Sequence, residues 1–241
     1  MISVRFYLVV LVALQFFSLG LNARAQQSRL QSLEDSLYKV NSAPQFIDLL
    51  NELGKEYIFV NPTKAYTYSD SARILSEKIN YNKGSASALR NLGSILGERG
   101  FYAKGTEMVY RASELYKEIG DSLGLGNCLI SHAFINFRQG LLDKANQYNF
   151  SALKIFQSLN LPTRLGVAHN NIAQVYLKKN EVSKAKEHID QAIDINVKLN
   201  NLPVLSSAYR ILGNIYHAQE KYSAARDAYF KTIELYQKNN Q

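Results

Sequence analysis

Small side chains recur at an unbroken 40-residue spacing: Ala65, Gly105, Ala145, Ala185 and Ala225. Seven residues on, a second column holds Ala72, Ala112, Ala152, Ala192 and Thr232, and a third holds Gly93, Ala133, Ala173 and Gly213. Self-similarity at a fixed period of this length marks an array of one repeated supersecondary unit. Such a chain cannot bury the face of a single unit alone. It must stack its copies, and the stack offers a surface for binding before it offers a pocket for chemistry.

The segments between the columns have helical spacing. Leu89, Leu92, Ile95 and Leu96 lie on one face, and Met108, Val109, Ala112, Leu115, Tyr116 and Ile119 on another. Arg99-Gly100-Phe101 between them is a turn, with Gly where a helix ends. The layout predicts helix pairs over 127–138 and 142–159, 164–178 and 182–199, and 204–218 and 221–238, turning at Gly140, Asn180 and Glu220. Glu is poorly suited to the left-handed cap that Gly and Asn tolerate, so the turn at Glu220 is expected to close differently. A looser copy runs from Pro44 to Asn80, with Pro62 suited to a helix start. Residues 28–41 carry Leu30, Leu33, Leu37 and Val40 on one face and read as one more amphipathic helix.

The small columns have a steric cause. Antiparallel helices on a short turn approach closely only where side chains are small, as Ala133 with Ala145 or Ala173 with Ala185 allow. A larger residue there would be overpacked by roughly 1–3 kcal/mol. Gly105 sits in this column although Gly lowers helix propensity by up to about 1 kcal/mol against Ala. Copy 124–163 departs most, with Asn136 and Asn149 in columns that are otherwise large and mostly apolar. Either the two amides bond each other, or the register adjusts and turns Tyr148 or Phe150 inward; adjustment is the expectation.

The first 25 residues are different in kind. Arg5, an apolar run over Phe6–Leu21 and Ala23-Arg24-Ala25 have the three parts of a secretory signal peptide. The run is 16 residues, shorter than the roughly 18–20 that span a bilayer. Cleavage after Ala25 and export to the periplasm are expected, with no stable membrane insertion afterwards. Losing Arg5 and Arg24 lowers the formal charge from +8 to +6. The basic residues are scattered, and export argues against a nucleic-acid partner. One cysteine excludes an intrachain disulfide.

No motif for catalysis, metal or cofactor stands out. His132, His169, His188 and His217 form no His-Glu-x-x-His and no recognised ligand spacing. His132 lies in an apolar column and reads as a packed histidine. Cys128 shares a small column with Ala88, Ala168 and Ala208 and reads as a small hydrophobe. Tyr176, Tyr216 and Tyr229 read as helix packing, and the sequon Asn149-Phe150-Ser151 lies inside a helix. The chain is expected not to be an enzyme and to need no cofactor.

Leu212-Gly213-Asn214-Ile215-Tyr216 with Tyr222, Ala225, Tyr229 and Thr232 resembles the tetratricopeptide repeat. So does Ile172-Ala173-Gln174-Val175-Tyr176 with Ala185, Ile189 and Ala192. The usual repeat is about 34 residues, and this one is similar to a longer variety. The resemblance implies an all-α fold, a right-handed α-solenoid of antiparallel helix pairs. A linker and leading helix over 26–43 would precede copies at 44–83, 84–123, 124–163, 164–203 and 204–241.

It further implies a non-catalytic scaffold binding another protein or an extended peptide in a concave groove lined by first helices. By column, the groove candidates are Arg90, Asn91, Phe134, Phe137, Arg138, Asn170, Asn171, Gln174, Lys178, Arg210, Asn214 and His217. Asn, Arg and Lys there would hold a peptide backbone or carboxylate. Exported arrays of this kind also resemble sensory regions of bacterial envelope signalling proteins. The alternative is therefore a sensory ectodomain or a fragment of a histidine kinase, cyclase or transcription regulator. The last helix offers an apolar face without a following copy, so self-association is a further expectation.

Overall fold

The computed structural model describes residues 28–239; the signal-peptide pattern over 1–25 and the final Gln241 lie outside them. Every regular element described is α-helical. A helix over residues 28–37 (α1) precedes α2 (Ala43–Glu56), α3 (Pro62–Lys78), α4 (Asn82–Glu98), α5 (Tyr102–Glu118), α6 (Ser122–Arg138) and α7 (Leu142–Ser158). Then follow α8 (Pro162–Lys178), α9 (Val182–Lys198), α10 (Leu202–Ala218) and α11 (Tyr222–Asn239). The fold is an all-α helical-repeat solenoid. It divides into two compact units, residues 28–159 and residues 160–239.

In the first unit α2 pairs with α3, α4 with α5 and α6 with α7, while α2, α4 and α6 also touch in succession. In the second, α8 pairs with α9 and α10 with α11, and α8 meets α10. The small columns lie at these crossings. Ala65, Ala145, Ala185 and Ala225 are fully buried. At the α4–α5 crossing a Cβ on Gly105 would stand 2.7 Å from the Gly93 carbonyl oxygen, and one on Gly93 2.5 Å from Val109 Cγ2. The helix propensity lost at Gly105 is therefore the condition for backbone-to-backbone contact.

Turns within the four pairs from α4 to α11 close alike. Gly100, Gly140 and Asn180 take positive φ, and the residue after each donates its N–H back into the last turn. Phe101 N reaches Leu96 O at 2.9 Å, Leu141 N reaches Asn136 O at 2.8 Å and Glu181 N reaches Tyr176 O at 2.9 Å. Glu220 does the same at φ 59°, with Lys221 N on Tyr216 O at 2.9 Å. The expectation of a different closure there is overturned, because the packing of α10 on α11 imposes the geometry on a residue that does not favour it.

Copy 124–163 corrects the reading of its asparagines too. The register does not shift: Asn149 is 1% exposed and occupies the same column as buried Val109. Asn136 donates to its own helix, Nδ2 to His132 O at 2.8 Å, so the pair does not close on itself that way either. Asn149 Oδ1 accepts no hydrogen bond from the described residues. Tyr148 instead stacks on His132, ring centroids 5.1 Å apart. Cys128 is buried as expected, and burial pushes its thiol pKa up.

The helix over 28–37 is tied to the first unit by Arg29, which pairs with Glu52 and Glu56 of α2 at 3.3 and 3.4 Å, and by a carboxylate. Glu34 accepts from Tyr57 Oη and Tyr68 Oη, each at 2.8 Å, and from Lys64 Nζ at 3.0 Å. Burial acts to raise its pKa, but hydrogen bonds from Tyr57, Lys64 and Tyr68 together hold it below the usual carboxylate value. Leu30 packs with Leu53, Tyr57 and Ile58 beneath.

Candidate functional site

The expected groove residues fall in both units. In residues 28–159 they do not form one free surface. Asn91 is 1% exposed and donates Nδ2 to the Asn51 carbonyl of α2 at 2.7 Å. Asn51 returns a bond from its own Nδ2 to Gly84 O of α4 at 3.0 Å. These reciprocal amides join successive first helices, so Asn91 builds the stack rather than its face. Arg90 turns toward α5 and α6: its charge stabilises the ionised forms of Tyr116 and Cys128, and its Nε is buried without a hydrogen-bond partner among the described residues.

On α6, Phe134 meets Phe59 edge to face at 5.7 Å, and Phe59 is itself 68% exposed. Phe137 is half-buried. Arg138 pairs with Glu98 of α4 at 3.2 Å, and its carbonyl accepts from Tyr102 Oη at 3.1 Å. Asn91, Phe134 and Arg138 therefore already have partners within the unit. Phe59 was missed from the sequence because it stands in the irregular turn after α2, outside the 40-residue columns.

The second unit is different. Asn170 is buried and donates Nδ2 to Val204 O of α10 at 3.3 Å, the same kind of helix-to-helix amide bond as Asn91. Asn214 Oδ1 accepts from Tyr229 Oη at 2.8 Å, and His217 meets Tyr222 edge to face at 5.6 Å. Asn171, Gln174 and Lys178 fall on successive turns of α8, and Arg210 stands on the neighbouring α10. These four make no hydrogen bond or ion pair with the described residues. Gln174 and Lys178 are exposed, Asn171 and Arg210 half-buried. The unit carries eleven Lys and Arg against seven Asp and Glu over residues 160–241, a net +4. Two amides and two cations without internal partners suit the carbonyls and carboxylates of an extended chain.

Two histidines that no sequence motif groups meet in this unit. His169 Nδ1 of α8 lies 3.0 Å from His188 Nδ1 of α9, with the rings stacked at 5.2 Å. Burial, then the neighbouring imidazole, holds the His169 pKa down at about 4. Burial also lowers His188, opposed by Glu187. The available signal was columnar: His169 aligns with Leu89 and Leu129, and His188 with Met108 and Tyr148. Among the described residues no three His, Cys, Asp or Glu side chains gather to hold a metal, and no helix is long and apolar enough to cross a membrane.

Residues 164–238 match the family described as tetratricopeptide repeat. No curated protein matches the chain by sequence. Solved structures are similar in fold. BtubC (BKLC) from P. vanneervenii superposes with TM-score 0.62 at 17% identity, covering 92% of this chain and 91% of that one. A Rap protein complexed with competence and sporulation factor gives 0.64 at 14%, covering 97% and 74%. Aspartyl phosphate phosphatase F from Bacillus subtilis gives 0.62 at 13%, covering 87% and 68%. At these identities the likeness is one of fold.

Proposed function

We propose that this array of tetratricopeptide-like helix pairs is a non-catalytic scaffold that holds an extended peptide or protein segment. The segment lies along the first helices of residues 160–239. The observation that carries the reading is the group Asn171, Gln174, Lys178 and Arg210, polar side chains on two adjacent helices with no partner among the described residues. Asn171 and Gln174 bond the backbone of the segment, while Lys178 and Arg210 favour a carboxylate, either acidic side chains or a free chain end. A Rap protein has been crystallised with competence and sporulation factor, which supports this use of the fold. The signal-peptide pattern over 1–25 supports the periplasm as the place of action, facing envelope proteins.

Selection from a library of short random peptides with free carboxyl ends, using wild type and an Asn171→Ala/Lys178→Ala/Arg210→Ala variant, tests this. Wild type should enrich acidic or carboxyl-terminal motifs that the variant loses while unfolding at the same urea concentration. Equal enrichment by both proteins contradicts the assignment.

A further inference from the structure

We infer that His169 and His188 form a proton-sensitive lock between α8 and α9, closed while their facing Nδ1 atoms share one proton and opened when both rings are protonated. At 3.0 Å the two nitrogens are at hydrogen-bond distance. Such a contact needs one Nδ1 as donor and the other as acceptor. Protonating both rings places two N–H groups and two like charges face to face, with His169 only 8% exposed.

On α9, Glu187 favours charge on His188. On α8, Tyr176 stacks against His188 at 5.6 Å. Lys184 of α9 stands 5.3 Å over the Tyr176 ring and is paired with Glu181 at 2.7 Å. No charged group of α10 shifts the titration of either ring. No third His, Cys, Asp or Glu among the described residues joins the pair to complete a metal site.

Packing does not require histidine here. The same two columns hold Leu89 and Met108 in α4–α5, and Tyr209 and Ala228 in α10–α11. The sign of the effect follows from the lowered pKa of His169, about 4 against the ordinary 6.5 of a histidine. A base depressed on folding contributes stability above its unfolded value and loses it as pH falls toward the folded value. The window from about pH 6.5 to 5 lies above the range of ordinary carboxylates, so the histidines act there alone.

The test is amide hydrogen exchange of the full chain at pH 7 and pH 5, corrected for intrinsic rates. Peptides from α8–α9 are compared with peptides from α4–α5. Protection of α8–α9 should fall about tenfold or more relative to α4–α5. The His169→Leu/His188→Met variant, which copies the α4–α5 pair, should lose that difference. Equal pH dependence in wild type and variant overturns the lock. Ring-proton NMR titration of wild type stands independently of the variant: His169 should titrate at about 4. Titration of His169 near the ordinary 6.5 of a histidine overturns the inference.

Discussion

Asn91 and Asn51 join two successive first helices through one short bond, the Asn91 amide donating to the Asn51 carbonyl at 2.7 Å. Asn91 Nδ2 has no access to solvent in exchange, since the residue is almost wholly buried. Asn91→Ala removes the bond and leaves a void, and should lower stability by about 1–3 kcal/mol. Asn171→Ala, at the matching position of α8 but half-buried and unbonded, should change it by less than about 0.5 kcal/mol. Urea unfolding of both variants checks the contrast.

Gly105→Ala should destabilise the chain although Ala is the better helix former. The propensity gain is about 1 kcal/mol. Against it, the new Cβ would press on the Gly93 carbonyl oxygen at 2.7 Å, a backbone atom that cannot rotate away. Overpacking of roughly 1–3 kcal/mol wins, so the midpoint of unfolding should fall.

Glu220→Gly should act the other way. Glu220 is held at φ 59°, where a side chain costs roughly 1 kcal/mol or more. Gly removes that strain at the end of α10 and should raise stability by about 0.5–1 kcal/mol. Thermal unfolding should show the rise, and Gly140→Glu, at the equivalent turn, should show a fall.

Glu34→Gln should loosen the first helix while leaving the repeat pairs intact. The carboxylate gathers Tyr57, Tyr68 and Lys64 onto α1. Its folded pKa is lowered, so its contribution is present above the unfolded value and is lost as pH falls through the folded one. Hydrogen exchange of residues 28–37 should therefore accelerate in the variant at pH 7, and in wild type only under acid.

The repeat was legible because its cause is local and recurrent. Ala65, Gly105, Ala145, Ala185 and Ala225 each mark a close crossing, and the turns at Gly100, Gly140 and Asn180 follow from left-handed backbone. Glu220 misled because tertiary packing overrode a local preference. The groove was only half legible. A polar residue beside a core column faces either solvent or the carbonyl of the next helix, and periodicity does not distinguish the two. Asn91 and Asn170 take the carbonyl, whereas Asn171 and Gln174 do not. Glu34 with Tyr68, and Phe59 with Phe134, depend on contacts between elements far apart in the chain, which no column records.

The central claim is that the first-helix face of residues 160–239 receives a partner segment. Site-specific photocrosslinking in cells tests it most directly, with the probe at Gln174 on that face or at Lys198, an exposed residue at the end of α9. The account predicts discrete adducts from position 174 that disappear in the Asn171→Ala/Lys178→Ala/Arg210→Ala background, and none from 198. Matching adducts from both positions, or adducts at 174 that survive the triple substitution, would contradict it.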